Sequence, residues 1–228
     1  MRTKKAVINT MTSIMAEVVS IICGLILPRL ILGAFGSSYN GITSSITQFL
    51  SCIVLLRAGV GSVTRAALYN PLSKKDKSEI SGIVNATAIF MKKVALIYVG
   101  ALIVFACVYP FLVRNSFSWI FSATLVLIIG SSTFVDNYFG IAYQMLLQAD
   151  QKNYVNTIPQ IVTTILNTIV AAVLIHCGAG IHLVKLGSAI VYFIRPLFLS
   201  YYVKKKYEID ADIKPNNSAI SQRWDAFA

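Results

Sequence analysis

The chain has 228 residues, 56% of them hydrophobic and only 13% charged, and it carries a formal net charge of +11. An apolar share well above the roughly 45–50% usual for soluble domains, gathered in six long blocks, argues against a soluble core and for a polytopic membrane protein. The basic excess does not point to nucleic acid, because most of the Lys and Arg fall in segments that a single orientation places on the cytoplasmic side of a membrane.

Arg2, Lys4 and Lys5 precede the first apolar run, residues 6–32. It is far longer than a signal-peptide core and lacks a convincing cleavage site, so it reads as a retained helix. Glu17 lies near its centre and Arg29, after Pro28, near its far end. The Gly-rich GAFGSSYNG is an external turn. A second span covers residues 42–68, with Arg57 near its middle, and runs into a loop holding Lys74, Lys75 and Lys77. Residues 78–93 place Ile80, Ile83 and Val84 at helical spacing, as in an amphipathic helix on the membrane surface. The third span, 94–113, carries no charge, and Arg114 is the clear external cation. A fourth span, 117–147, ends in an internal turn with Lys152; a fifth, 155–175, ends in the tight turn CGAG. The sixth span, 181–203, stops at Lys204-Lys205-Lys206, where a polar tail begins. The expected architecture is therefore an all-α bundle of six transmembrane helices over residues 1–203, both termini cytoplasmic, with a cytoplasmic tail over 204–228.

Four spans carry polar residues at helical spacing. They are Gly41, Ser44, Ser45, Gln48 and Cys52 in the second; Thr133, Asp136, Asn137, Gly140, Tyr143, Gln144 and Gln148 in the fourth; Asn156, Gln160, Thr163, Thr164 and Asn167 in the fifth; and Lys185, Ser188, Tyr192 and Arg195 in the sixth. Small Ser, Thr and Gly residues serve helix–helix packing equally well. Gln, Asn and Asp in the same register cost more to bury and favour a hydrated cavity. A charge at mid-membrane costs about 2.5–3.5 kcal/mol on insertion scales, so Arg57 and Arg195 should face a protein interior. Arg29 and Lys185, nearer the span ends, have snorkelling to the interface as an equal alternative. Glu17 and Asp136 are the deep acids, and pairing such as Glu17 with Arg57 is the bland account. Four cations against two acids still leave a net positive interior, which suits an anionic substrate, and Arg suits phosphate in particular.

No enzymatic activity is expected: His176 and His182 lack partners at a telling spacing, and no nucleophile, metal or phosphate-loop motif is present. Cys23, Cys52, Cys107 and Cys177 are isolated and read as packing residues, with neither metal nor cofactor implied.

The segments FGSSYNGITSSITQFLSCIVLLRAGVGSVTRAALYNPLSKKD, QMLLQADQKNYVNTIPQIVTTILNTIV and VKKKYEID resemble the bacterial polysaccharide-biosynthesis membrane proteins, the O-antigen and capsule repeat-unit flippases. These are similar to the lipid II flippase and, more distantly, to the multidrug and toxin extruders. The resemblance implies one six-helix lobe of a two-lobe inner-membrane transporter, moving an undecaprenyl-diphosphate-linked oligosaccharide by alternating access. Its partners would be the bilayer, the lipid-linked glycan and a second lobe or another copy. The resemblance carries cavity arginines to Arg29 and Arg57 and ion-coupling acids to Glu17 and Asp136. Lys185, Arg195, Gln48, Asn137, Gln144, Gln160 and Asn167 complete the candidate substrate-binding set. Chain length departs from the family pattern, and the expectation is a first lobe only. A drug or cation antiporter of the same superfamily, and a non-transporting scaffold that recruits glycosyltransferases, are the alternatives.

Overall fold

The computed structural model describes residues 2–54, 59–113, 117–210 and 213–216. Among them are eight α-helices and no β-strand: α1 (Arg2–Phe35), α2 (Ser37–Val54), α3 (Val60–Lys74), α4 (Lys77–Val113), α5 (Trp119–Val135), α6 (Ile141–Ala149), α7 (Tyr154–His176) and α8 (Ile181–Tyr207). A π-helical turn, Asp136–Gly140, joins α5 to α6 without a break.

Five stretches are long and apolar enough to cross a membrane: Lys4–Phe35, Lys77–Val113, Trp119–Ala149, Tyr154–His176 and Ile181–Tyr207. Their outward faces carry large apolar side chains, with Leu25 71% and Leu112 69% exposed. The largest apolar patch on a soluble monomer is about 300–600 Å². Long helices that expose large apolar side chains have the organisation of a multi-pass membrane bundle. The remaining expected span, the second at 42–68, is divided between α2 and α3, and Arg57 lies in residues 55–58, outside the described residues.

Side by side the long helices run α1, α7, α8, α5, α4. Near one end, α2 inserts Ile42, Ile46 and Leu50 among Tyr98, Leu102, Leu125 and Val126 of α4 and α5. The turn into α2 is a single residue, Gly36, at φ 88°, a conformation that costs glycine little. Aromatic rings close this end: Tyr39 meets Phe117 edge-on at 5.1 Å between centroids, and Phe121 meets His182 at 4.4 Å.

The basic residues gather at the other end. There α3 stops at Lys75, left-handed at φ 58°, and Asp76 caps α4 by accepting from the backbone N–H groups of Ser78 and Glu79, each at 3.0 Å. Asp150, in the turn after α6, binds Lys152, accepts from the Tyr207 hydroxyl and pairs with Lys5 at 3.4 Å. Burial works against charge on this carboxyl, but the hydrogen bonds from Lys152 and Tyr207 and the charges of Lys152 and Lys5 outweigh it and hold it below its ordinary value. Asn9 completes the clamp, donating to the Gln151 carbonyl and accepting from the Tyr154 N–H, both at 2.9 Å. The ends of α1, α6, α7 and α8 are thus tied through one turn.

One expectation about this end changes. Residues 78–93 are the first half of α4, a 37-residue helix, and do not form a separate surface helix. Ile80, Ile83 and Val84 are buried against Leu68, Leu146, Leu147, Leu199 and Val203. The tail folds back over the same stretch: Asn85 donates to the carbonyls of Asp210 and Ile213, and the Asn216 N–H donates to the Gly82 carbonyl at 3.0 Å.

Candidate functional site

An unbroken helix puts residues spaced three and four apart on one side, and α8 so presents Lys185, Ser188, Tyr192 and Arg195. Opposite them stand Ser132 and Thr133 from the end of α5, Asp136 at the head of the π-turn, Thr47 and Ser51 from α2, and Asn167 from α7. These side chains enclose two adjoining cavities of about 340 and 350 Å³, which share Ser51, Ser132, Thr133 and Tyr192. The first reaches Lys185 and Asn167; the second reaches Asp136 and Arg195. With Leu27, Leu50, Ile129 and Ala189 as apolar walls, they form one groove that carries polar groups, left partly open where Tyr192 is 38% exposed.

The groove's deeper charged groups are held in place. Arg195 spans to α7, donating to Asn156 Oδ1 from Nη2 at 2.9 Å and from Nε at 3.3 Å. Asp136 accepts from Gln144 Nε2 at 2.9 Å. It also opens the π-turn, whose widened ring closes with the Ile141 N–H on the Asp136 carbonyl. Single π-turns inside long helices recur at functional sites.

The upper part is less satisfied. Asn167, only 3% exposed, donates to the Tyr192 hydroxyl at 3.2 Å, but its Oδ1 has no hydrogen-bond partner among the described residues. A buried acceptor left unmet costs about 1–3 kcal/mol, so a donor from a ligand or from water belongs there. Lys185, half-buried in the same cavity, likewise has no hydrogen-bond or ion-pair partner among the described residues. A cation without a counter-ion beside an acceptor without a donor suits a ligand that presents an anionic oxygen together with a hydroxyl.

Of the residues singled out from sequence, Lys185, Arg195, Asn167 and Asp136 come together in this groove, and Gln144 supports it through Asp136. Asn137, buried, lines a different cavity between α4 and α8. Gln160 is half-buried on α7, and Gln48 is exposed on α2. Arg29 is exposed and lines an open hollow with His176 at the aromatic end, and Glu17 is exposed on α1. Neither lies in the groove, and Arg57 is outside the described residues.

Sequence reasoning passed over Thr47, Ser51 and Ser132, whose lone hydroxyls give no spacing signal. It also left Arg65 out of the intramembrane cations; half-buried on α3, Arg65 donates to Gln148 Oε1 at 2.9 Å. The signal was there, since residue 65 falls inside the span read as 42–68. Among the described residues no group of three or more His, Cys, Asp or Glu side chains is placed to hold a metal ion. Comparison of the chain with protein-family models, with curated proteins and with solved structures finds no match.

Proposed function

We propose that this chain is a six-helix lobe of a transporter that moves a polyprenyl-diphosphate-linked oligosaccharide across the bacterial inner membrane by alternating access. The observation that carries the reading is the pairing of Lys185 with the unmet Oδ1 of Asn167 in one cavity, with Arg195 below them. The cations would hold phosphate oxygens, and the asparagine acceptor would take a sugar hydroxyl. The lipid tail would stay in the bilayer beside the groove's open side. The resemblance to repeat-unit flippases supplies the substrate class; the groove supplies chemistry compatible with it.

The topology in this proposal is six crossings with the basic end cytoplasmic. It is supported by α2 lying against α4 and α5 near the aromatic end while α3 packs at the basic end, as a return crossing requires. A cation antiporter of the same superfamily is the second reading, favoured by Asp136 in the groove. The excess of cations over acids there weighs against it.

The test is complementation of a bacterial strain that lacks its own repeat-unit flippase. The chain is expressed alone and joined to a second six-helix lobe from a similar protein, with membrane insertion checked first. Surface polysaccharide restored by either form, and lost in Lys185→Gln at unchanged membrane level, supports the proposal. Export undiminished by Lys185→Gln and by Arg195→Gln would overturn the assigned groove.

A further inference from the structure

A separate cavity lies between α4 and α8. It holds about 260 Å³ and is walled by Ala88, Ile89, Phe139 and Ala142, with Lys92 and Lys204 on its rim. No acidic side chain lines it among the described residues. Lys92 leans over the Tyr138 ring, its Nζ 5.2 Å from the centroid, and Lys204 has no hydrogen-bond or ion-pair partner among the described residues. The π-turn serves both cavities: Asp136 opens to the groove, while Asn137, Tyr138 and Phe139 turn to this one.

The two rim lysines reach the cavity from different heights: Lys204 follows Val203, which packs with Val84, whereas Lys92 follows Met91, which packs with Ile141. Lys92 and Lys93 stand directly before the uncharged stretch 94–113 of α4. Lys204 opens the basic run that ends the uncharged stretch 196–203 of α8. Each is the boundary between an apolar and a polar length of its helix, and the fold brings both boundaries to one cavity. A pair of interfacial lysines by itself would only snorkel. Here a cleft lies between them, its apolar wall set between the heights of Lys204 and Lys92, where Ile89 is 44% and Phe139 39% exposed.

We infer that this cleft is a binding site for an anionic phospholipid of the leaflet at the basic end. The lipid phosphate sits between Lys92 and Lys204, and an acyl chain lies along Ala88, Ile89 and Phe139. Charge complementarity selects the occupant: two cations and no acid disfavour a cationic ligand, and the apolar wall gives a freely soluble phosphate nothing to gain. Basic pockets between membrane helices on the cytoplasmic side hold anionic headgroups in this manner. The inference does not depend on what the groove transports.

The experiment is native mass spectrometry of the full chain, released from mixed micelles containing phosphatidylglycerol or phosphatidylcholine. Wild type should retain phosphatidylglycerol in preference to phosphatidylcholine. The double variant Lys92→Gln, Lys204→Gln should lose that retention by roughly tenfold or more, the order expected for two lysines at an anionic surface. The control Lys74→Gln, Lys75→Gln, which removes equal charge from the same end, should retain it. Ala88→Phe, which leaves both lysines and fills the apolar wall, should also lose it, so a charge-only account is tested separately. Equal losses in the two double variants, no preference between the two lipids, or displacement by inorganic phosphate regardless of acyl-chain length would each overturn the site.

Discussion

Gly140 lies against Pro196 so closely that a methyl group at position 140 would stand 3.0 Å from the proline Cβ. The same methyl would come within 2.7 Å of Asp136 Oδ1 and 3.2 Å of Gln144 Nε2. The glycine therefore allows both the approach of α8 to the π-turn and the hydrogen bond that positions Asp136.

Gly140→Ala should force these contacts apart. The expected cost is about 1–3 kcal/mol, the range for added bulk in a close-packed site. Thermal unfolding in detergent measures it, with Gly24→Ala, which meets nothing within 4 Å, as a variant expected to change little. Equal unfolding temperatures for both would show that α8 yields at Pro196.

The unmet acceptor of Asn167 makes a second expectation. Asn167→Leu removes both the orphan oxygen and the hydrogen bond to Tyr192, effects of opposite sign, so stability should change by no more than about 1 kcal/mol. Transport by the lobe joined to its second half should nevertheless fall, as it should for Lys185→Gln. The double variant should be little worse than the poorer single, because both act on one ligand. Multiplying losses would place the two residues at separate sites.

Asp150 supplies a pH dependence. Its folded pKa lies below the unfolded value of about 3.9, so its contribution is complete at neutral pH and is lost as pH falls through the folded value. Asp150→Asn should cost about 1–2 kcal/mol at neutral pH, as expected for losing charge-assisted hydrogen bonds. Unfolding curves of wild type and variant should then converge in strong acid. A constant gap between them down to low pH would remove the carboxylate from the account.

The sequence by itself determined what depends on composition and on one uninterrupted helix. Apolar blocks of membrane-crossing length had to become membrane-compatible helices, since backbone polar groups have no other partners in lipid. The face Lys185–Ser188–Tyr192–Arg195 was legible because α8 keeps a regular period from end to end. The face read on the fourth span was legible only in part, because consecutive helical residues point about 100° apart and Asp136 and Asn137 open to separate cavities. Periodicity also gave Ile80, Ile83 and Val84 a common side without saying what would cover it. A membrane surface and a protein core demand the same spacing. Only the tertiary structure decided between them, by bringing Leu68, Leu146, Leu147, Leu199 and Val203 from three other helices against that side.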